Sequence, residues 1–262
     1  MKTRLDAEIV RRGLARSRDH AADLIEARMV LVTGIPASKP ATQVDAQTSI
    51  TLQGERNDFV SRGGHKLAGA LDAFPEIAVT GKRALDAGAS TGGFTDVLLK
   101  RDVAQVIAVD VGYGQLAWEL RTDERVTVLD RTNVRHLTIE QIGDSVDLIV
   151  ADLSFISLTL VLPALVSVSK TSADFLVMVK PQFEVGREKL GAGGVVRDPA
   201  LRKAAVKEVA DSAYDMGLGC KGVVASSLPG PSGNVEYFLW LKRGAQEISD
   251  ADLDAAISEG PQ

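Results

Sequence analysis

The chain has 262 residues, of which 45% are hydrophobic and 25% are charged, and its net charge is −5. These values are typical of a globular protein of one or two domains and argue against a protein that only binds nucleic acid. One cysteine, Cys220, and three scattered histidines predict neither disulfides nor a metal site. The charged first residues and the short longest apolar run, 156–168, predict a cytoplasmic protein without membrane contact.

The charge is distributed unevenly along the chain. Residues 1–66 contain 11 Lys and Arg against 8 Asp and Glu, whereas the remaining residues contain 19 against 27. A basic N-terminal segment followed by an acidic remainder indicates a polyanion-binding module attached to a domain with another function. We therefore expect an N-terminal domain over 1–54, a polar linker over 55–64 and a second domain over 65–262.

The N-terminal stretch has the pattern of two short helices followed by strands. Apolar residues fall on one side of 4–12, and Ser17 can cap a second helix over 18–27. Residues 29–32 and 49–52 have the composition of strands. Five arginines crowd the helices and their connection, which favours contact with phosphate. They are Arg4, Arg11, Arg12, Arg16 and Arg18.

This stretch resembles the small RNA-binding domain named after ribosomal protein S4. The match covers residues 4–52 and includes Arg4-Leu5-Asp6, Ser17-Arg18 and Lys39-Pro40. The resemblance implies that basic side chains contact the RNA backbone and position the protein rather than read bases. The residues expected to do so are Arg4, Arg16, Arg18 and Lys39. Arg62, near the start of the second domain, is a further candidate for RNA contact.

The second domain is organised around residues 85–95, which read as a strand, a glycine-rich turn and the start of a helix. Glycine lets the backbone approach a ligand, and a helix start offers free N–H groups and a positive dipole end. The spacing differs from the dinucleotide pattern G-x-G-x-x-G, because after Gly88 glycine returns only at Gly92 and Gly93. Taken alone, the stretch is equally compatible with a tight turn that binds nothing.

Four apolar runs each end at a carboxylate, at intervals of 24, 20 and 22 residues: Asp86, Asp110, Asp130 and Asp152. The intervals suit successive strand–helix units of a parallel sheet, whose carboxyl edge is where open α/β sheets bind ligands. In a nucleoside pocket, Asp110 would suit the ribose hydroxyls and Asp130 an adenine amino group. The pattern predicts an α/β, Rossmann-like fold beside a small N-terminal α+β domain.

The glycine-rich turn and Asp110 resemble the corresponding motifs of methyltransferases that use S-adenosylmethionine. The resemblance implies that the chain binds S-adenosylmethionine. The residues expected to hold this cofactor are Asp86, Gly88, Ala89, Ser90, Thr91, Gly92, Gly93, Phe94, Asp110 and Asp130. Residues 152–155 lack the proline pair typical of enzymes that methylate base amino groups. Cys220 lies outside the stretches expected for a nucleophile that attacks a pyrimidine carbon. Both departures favour an oxygen acceptor.

A sugar hydroxyl is a very weak acid, so its methylation needs a base and a group that holds it in line. Lys180 and Asp152 each end a predicted strand at the same sheet edge, and Lys66 and Glu236 can reach that edge. Partial burial and a neighbouring cation lower the pKa of a lysine, which makes Lys180 the candidate base. The alternative for either lysine is a surface or RNA-phosphate contact.

These four residues match the Lys-Asp-Lys-Glu tetrad of the FtsJ-like ribose 2′-O-methyltransferases, which implies that they are catalytic. Over nearly its whole length the chain resembles the TlyA family, historically called haemolysins. The family implies 2′-O-methylation of cytidine in ribosomal RNA of both subunits. The alternatives are a pore-forming haemolysin, which no apolar span supports, and a non-catalytic rRNA-binding factor, which leaves the tetrad unexplained. The sequence makes no prediction of oligomeric state.

Overall fold

The structure is a computed structural model that describes residues 3–12, 14–15, 17–45, 48–52, 59–230 and 233–260. The chain forms two compact units, Met1–Asp58 and Phe59–Gln262. The boundary falls inside the stretch 55–64 that was predicted as a linker. Residues 55–58 lie outside the described residues, and 59–64 belong to the second unit.

The first unit contains short strands and two helices. They are β1 (Thr3–Arg4), α1 (Leu5–Arg11), α2 (Arg18–Glu26), β2 (Val30–Val32), β3 (Ile35–Pro36), β4 (Gln43–Val44) and β5 (Ile50–Leu52). β2 lies between β3 and β5 in an antiparallel sheet, and β1 pairs with β4. Ser17 caps α2 by accepting a hydrogen bond from the His20 N–H at 3.1 Å, as predicted. Leu5, Ile9, Ile25 and Val30 are fully buried in one core.

The second unit alternates strands and helices. Its elements are α3 (Arg62–Ala73), β6 (Arg83–Ala87), α4 (Gly93–Lys100), β7 (Gln105–Val109), α5 (Trp118–Arg121), β8 (Val126–Leu129), α6 (Ile139–Ile142), β9 (Val146–Ala151), α7 (Leu162–Ser167), β10 (Ser169–Val179), α8 (Pro181–Glu184), α9 (Pro199–Asp215), β11 (Leu218–Ala225), β12 (Tyr237–Arg243) and α10 (Asp250–Glu259). Short 3₁₀ turns lie at Val134–His136, Leu158–Leu160, Arg187–Lys189 and Ala192–Gly194.

A seven-stranded sheet of order β11-β12-β10-β9-β6-β7-β8 forms the centre of this unit. The five strands from β10 to β8 are parallel, and β12 and β11 are antiparallel to their neighbours. The chain runs outward from β6 through β7 to β8 and then returns to β9 on the other side of β6. The carboxyl ends of β6 and β9 therefore meet at the topological switch point, where such sheets bind ligands. The predicted α/β, Rossmann-like fold is confirmed.

Both faces of the sheet are covered by helices. Alternate residues of β9 point to opposite faces, so that Leu148 and Val150 join one apolar cluster and Ile149 joins the other. α3 and α4 complete the first cluster, and α7, α9 and α10 complete the second. Burial on both faces explains why the strands read as continuous apolar runs. No helix within the described ranges is long and apolar enough to cross a membrane.

Candidate active site

The glycine-rich turn joins β6 to α4 at the switch point. Gly88 and Gly92 have φ angles of +88° and +98°, which residues with a side chain rarely adopt. A Cβ atom at Gly88 would overlap the carbonyl oxygen of Asp152, and the Asp152 N–H donates to the Ala87 carbonyl at 3.0 Å. The turn is thus in direct backbone contact with the residue that follows β9, and only glycine fits at position 88.

A cavity of about 200 Å³ lies beside the turn. Its lining residues are Ser61, Arg62, Gly63, Lys66, Gly88, Ala89, Ser90, Thr91, Gly93, Phe94, Asp152, Lys180 and Pro229. Most of the turn residues predicted to hold the cofactor are among them. Gly92 instead faces the interior, where a Cβ atom would meet Leu116 at 2.8 Å. We call this space the donor cavity.

Asp110 follows β7 and holds the turn in place. Its Oδ2 accepts a hydrogen bond from the Ser90 N–H at 2.8 Å, and its Oδ1 accepts one from the Gly112 N–H at 2.7 Å. One carboxylate therefore fixes both the glycine turn and the loop after β7. Each oxygen has a second lone pair, so further hydrogen bonds can be accepted.

Asp86 differs from the expected row of edge carboxylates. It lies within β6 and is fully buried, and its Oδ2 accepts a hydrogen bond from Thr95 Oγ1 at 2.7 Å. Burial raises the pKa of Asp86 to about 7, although the hydrogen bond from Thr95 opposes the shift. The expectation that all four carboxylates lie at the sheet edge is wrong here, because the strand continues through Ala87.

Asp130 follows β8 directly and already has a cationic partner. Arg121 Nη2 on α5 lies 2.5 Å from Asp130 Oδ2, and the Gly114 N–H donates to the same oxygen at 3.3 Å. The hydrogen bond from Arg121 lowers the pKa of Asp130. Sequence reasoning missed Arg121, since nothing in its spacing marks it as a partner. Contact between Asp130 and an adenine amino group stays a prediction.

The four predicted catalytic residues come together as two ion pairs. Lys66 Nζ lies 2.5 Å from Glu236 Oε2, and both residues are buried. Lys180 Nζ lies 2.5 Å from Asp152 Oδ1 and donates a hydrogen bond to Ser154 Oγ at 3.1 Å. Each buried lysine thus has its own carboxylate, which offsets the cost of removing a charge from water.

A groove of about 1150 Å³ opens on the other side of Lys180. Its lining residues are Arg135, Ser154, Phe155, Ile156, Ser157, Leu160, Lys180, Gln182, Phe183, Gly186, Leu190, Gly193, Gly194, Asn234 and Glu236. We call it the acceptor groove. Phe155 is 91% exposed, and its ring centroid lies 5.1 Å from that of Phe183. Among the described lining residues, Lys180 alone borders both the donor cavity and the acceptor groove.

Asn234 is a supporting residue that sequence reasoning did not identify. Its Oδ1 accepts a hydrogen bond from the Val196 N–H at 2.9 Å, and its Nδ2 donates to the Gly194 carbonyl at 3.0 Å. It therefore ties the glycine-rich segment that lines the acceptor groove to the chain just before Glu236. Within the described part of the chain, no group of three or more His, Cys, Asp or Glu is placed to hold a metal ion.

Two of the predicted RNA-binding residues of the first unit, Arg4 and Arg18, pair with the same buried carboxylate. Arg4 Nη2 and Arg18 Nη2 each lie 2.9 Å from Asp6 Oδ2. The hydrogen bond from Arg4, with a smaller one from Arg18, holds the pKa of Asp6 well below its usual range against the effect of burial. Lys39 is exposed, and Arg16 lies outside the described residues.

Arg62, the remaining candidate for RNA contact, belongs to the second unit. It is the first residue of α3 and lines the donor cavity. Its Nη2 donates a long hydrogen bond to the Pro229 carbonyl at 3.4 Å. An RNA contact by Arg62 stays a prediction.

Comparison with known proteins places this site in a family. The FtsJ-like methyltransferase family matches residues 59–243, and the S4 domain matches residues 3–50. The 16S/23S rRNA (cytidine-2′-O)-methyltransferase TlyA of Mycobacterium tuberculosis is 59% identical over 99% of both chains. These matches make the chain a methyltransferase with an S4 domain. It belongs to the TlyA family of FtsJ-like methyltransferases.

Solved structures agree with that assignment. A haemolysin-named protein from Streptococcus thermophilus has a TM-score of 0.80 and 36% identity, and the match covers 98% of this chain and 95% of that chain. An S-adenosylmethionine-dependent methyltransferase from Mesorhizobium loti has a TM-score of 0.50 at 16% identity, covering 67% of this chain and 96% of that chain. The latter likeness concerns the fold alone. The predicted family and enzyme class are confirmed.

Proposed function

We propose that this chain methylates the ribose 2′-hydroxyl of cytidine in ribosomal RNA, with S-adenosylmethionine as the donor. The observation that carries the proposal is the position of Lys180. Its ammonium is paired with Asp152 at the point where the donor cavity meets the acceptor groove. A group at that junction can act on a hydroxyl that enters from one side while the methyl donor occupies the other.

The donor cavity fits S-adenosylmethionine by the chemistry of its lining. Gly88 leaves room beside the Asp152 carbonyl, and the start of α4 presents backbone N–H groups and a positive dipole end. Asp110 retains acceptor capacity that suits ribose hydroxyls. When bound, the cofactor supplies an electrophilic methyl group. The residues proposed to hold it are Gly88, Ala89, Ser90, Thr91, Gly93, Phe94, Asp110 and Asp130, with Asp86 and Gly92 supporting the turn.

Lys180 is proposed to take or direct the proton of the 2′-hydroxyl. Asp152 and Ser154 both lie within contact distance of its Nζ, so they restrict the directions left to the remaining N–H, or to the lone pair after proton loss. Such positioning is worth a large part of the barrier in a displacement that must be in line. Lys66 and Glu236 form a second pair that keeps the site close to neutral and lines the two spaces.

The RNA substrate is inferred from the S4 domain and from the relative in Mycobacterium tuberculosis, which is a 16S/23S rRNA methyltransferase. We propose that ribosomal subunits of both sizes are substrates and that the enzyme acts in the cytoplasm. The side chains proposed to contact RNA phosphate are Arg4, Arg16, Arg18, Lys39 and Arg62. These contacts would position the enzyme, and the residues of the acceptor groove would select the nucleotide.

The direct test is incubation of each purified ribosomal subunit with labelled S-adenosylmethionine, followed by mass spectrometry of the digested RNA. We expect 2′-O-methylcytidine in both subunits. Label on a base, or on a nucleoside other than cytidine, would contradict the assignment of the acceptor. A liposome-leakage assay on the same preparation tests the haemolysin alternative, for which we expect no leakage.

Donor binding is tested at Gly88. Gly88→Ala places a Cβ atom against the Asp152 carbonyl, so we expect calorimetry to show about tenfold weaker binding of S-adenosylmethionine, a change of about 1.4 kcal/mol. Gly81→Ala is the matched control, because Gly81 also has a positive φ of +72° but no atom within 4 Å of the added methyl. Equal affinities in the two variants would mean that the donor binds elsewhere.

A further inference from the structure

Glu184 lies outside the tetrad but joins the two chain segments that carry Lys180 and Asp152. It is the last residue of α8, which starts directly after Lys180 at the end of β10. Its Oε2 accepts a hydrogen bond from Ser157 Oγ at 2.5 Å, and its Oε1 accepts one from the Leu158 N–H at 3.0 Å. We call this arrangement of Glu184, Ser157 and Leu158 the Glu184 clasp.

The clasp holds the far end of the loop that begins at Asp152. The near end is fixed by the hydrogen bond that the Asp152 N–H donates to the Ala87 carbonyl, and Ser154 accepts a hydrogen bond from Lys180. Between these points Phe155 has a φ of +64°, which is unfavourable for a bulky residue. A strained conformation of this kind persists only where surrounding contacts hold the chain. The Glu184 clasp supplies such contacts from the segment that follows Lys180.

The electrostatic surroundings of Glu184 are unusual for a residue that only stabilises the fold. Burial raises its pKa, the hydrogen bonds from Leu158 and Ser157 oppose that shift, and Glu208 on α9 raises the pKa further. Among the side chains that the structure describes, no Lys or Arg forms an ion pair with it. Partial burial of a carboxylate without a cation is costly, and the two hydrogen bonds from Ser157 and Leu158 offset part of that cost.

We propose that Glu184 is a positioning residue that fixes the separation between the ends of β9 and β10 and thereby keeps Asp152 on the Lys180 ammonium. The inference rests on the proposed role of Lys180 in moving the hydroxyl proton. Displacement of a reacting group by about 1 Å can cost roughly 10²-fold in rate. Glu184 is not among the described residues that line the donor cavity, so its removal should lower the rate without changing donor binding.

The test measures single-turnover methyl transfer to a ribosomal subunit and the KM for S-adenosylmethionine. We expect Glu184→Ala and Ser157→Ala to lower the rate roughly tenfold, with the KM within about twofold of wild type. Glu208→Gln is the matched control, because it removes an exposed carboxylate near Glu184 and leaves both hydrogen bonds in place.

A second measurement reports on the clasp without substrate. Hydrogen exchange at the Leu158 amide should accelerate about tenfold or more in Glu184→Ala and stay unchanged in Glu208→Gln. Wild-type rates in Glu184→Ala, equal losses in rate and donor binding, or unchanged exchange would each overturn the inference. Failure of the proposed function is distinguishable, because wild-type protein would then transfer no methyl group while the exchange difference persisted.

Discussion

The lysine pairs at the candidate active site of the second unit and the arginine pairs on Asp6 in the first unit differ in how far their cations are exposed. In the second unit the Lys66 and Lys180 side chains are only 8% and 11% exposed, whereas in the first unit the Arg4 and Arg18 side chains are 46% and 59% exposed. The carboxylates at Glu236 and Asp6 are buried in both units. The Asp152 side chain is 24% exposed, so the consistent difference between the two sets of pairs lies in the cation.

This difference matches two kinds of chemistry. A buried lysine can hold or release a proton within a closed site, since its single ammonium group is deprotonated more readily than a guanidinium. A guanidinium held on one edge by a buried acid still presents free N–H groups, and it keeps its charge. The lysine pairs thus suit proton handling, and the arginine pairs suit contact with phosphate.

The largest expected effect comes from breaking the most buried pair. Lys66→Met leaves the Glu236 carboxylate buried without its cation, so we expect a loss of about 3–5 kcal/mol in the free energy of unfolding. Arg4→Met is the matched change in the first unit, where Asp6 keeps Arg18, and it should cost about 1 kcal/mol or less. Urea unfolding followed by circular dichroism measures both. Similar losses would erase the distinction between the pairs.

The next effect concerns the chemistry of the cation. Lys180→Arg keeps the positive charge beside Asp152 but removes a group that can lose a proton, because arginine stays charged in proteins. We expect single-turnover methyl transfer to fall by roughly 10²-fold or more, the usual scale for a lost general base. Arg18→Lys is the control in the exposed pair and should change transfer by only a few-fold. A rate for Lys180→Arg within a few-fold of wild type would leave Lys180 as a phosphate contact.

The exact residue at which each strand next to this site ends could be predicted from the sequence. Asp110 and Asp152 directly follow β7 and β9, which read as uninterrupted apolar runs because they are buried on both faces. Asp130 directly follows the edge strand β8, which is only partly buried. Asp86 could not be placed in this way. A charged residue inside β6 ends the apolar run early, although Asp86 and Ala87 both pair with the neighbouring strands and the Asp86 carboxylate accepts a hydrogen bond from Thr95.

That Lys66, Asp152, Lys180 and Glu236 lie together could be predicted from the sequence, but their pairing could not. Lys66 and Glu236 are 170 positions apart, and their contact depends on packing between α3 and the chain leading into β12. The Arg121–Asp130 pair and the Glu184 clasp involve loops whose paths no periodic pattern specifies. Motifs mark residues that a family shares, whereas supporting contacts depend on the three-dimensional course of the loops.

A third prediction contrasts two buried carboxylates with opposite pKa shifts. The pKa of Asp86 is raised to about 7, so between about pH 4 and 7 the folded state binds more protons than the unfolded state and stability falls as the pH rises. Asp6 behaves in the opposite sense: its contribution is present above the unfolded pKa and is lost as the pH falls. The contributions of Asp86 and Asp6 to folding stability should therefore change in opposite directions as the pH rises.

Asp86→Asn keeps a hydrogen-bonding partner for Thr95 and removes the titration. We expect it to flatten the stability–pH curve of the second unit by up to about 4 kcal/mol, since the rise in pKa from 3.8 to about 7 spans about three units and each unit corresponds to about 1.4 kcal/mol. Urea unfolding followed by tryptophan fluorescence reports on that unit, because Trp118 and Trp240 both lie in it. Identical curves for the variant and wild type would show that Asp86 does not titrate in this range.

The smallest expected effect tests the exposed side of the comparison. Asp6 engages Arg4 through Nε and Nη2 and Arg18 through Nη2, which leaves other N–H groups of both guanidinium groups for phosphate. Arg4→Ala and Arg18→Ala should each weaken rRNA binding a few-fold. Each should also reduce the salt slope, which is the slope of the logarithm of the binding constant against the logarithm of the salt concentration, by about 1.

Arg11→Ala is the matched control for these variants, because Arg11 is also an exposed arginine paired with a buried acid, Glu8, and belongs to the same arginine cluster, but it is not one of the residues that the S4 resemblance assigns to RNA contact. It should leave the salt slope unchanged. A slope reduced equally in all three variants would mean that binding responds to the overall charge of the first unit. A slope reduced only for Arg4 and Arg18 would assign the phosphate contact to the arginines gathered on Asp6, since the three variants remove the same charge from the same unit and differ only in the carboxylate that holds it.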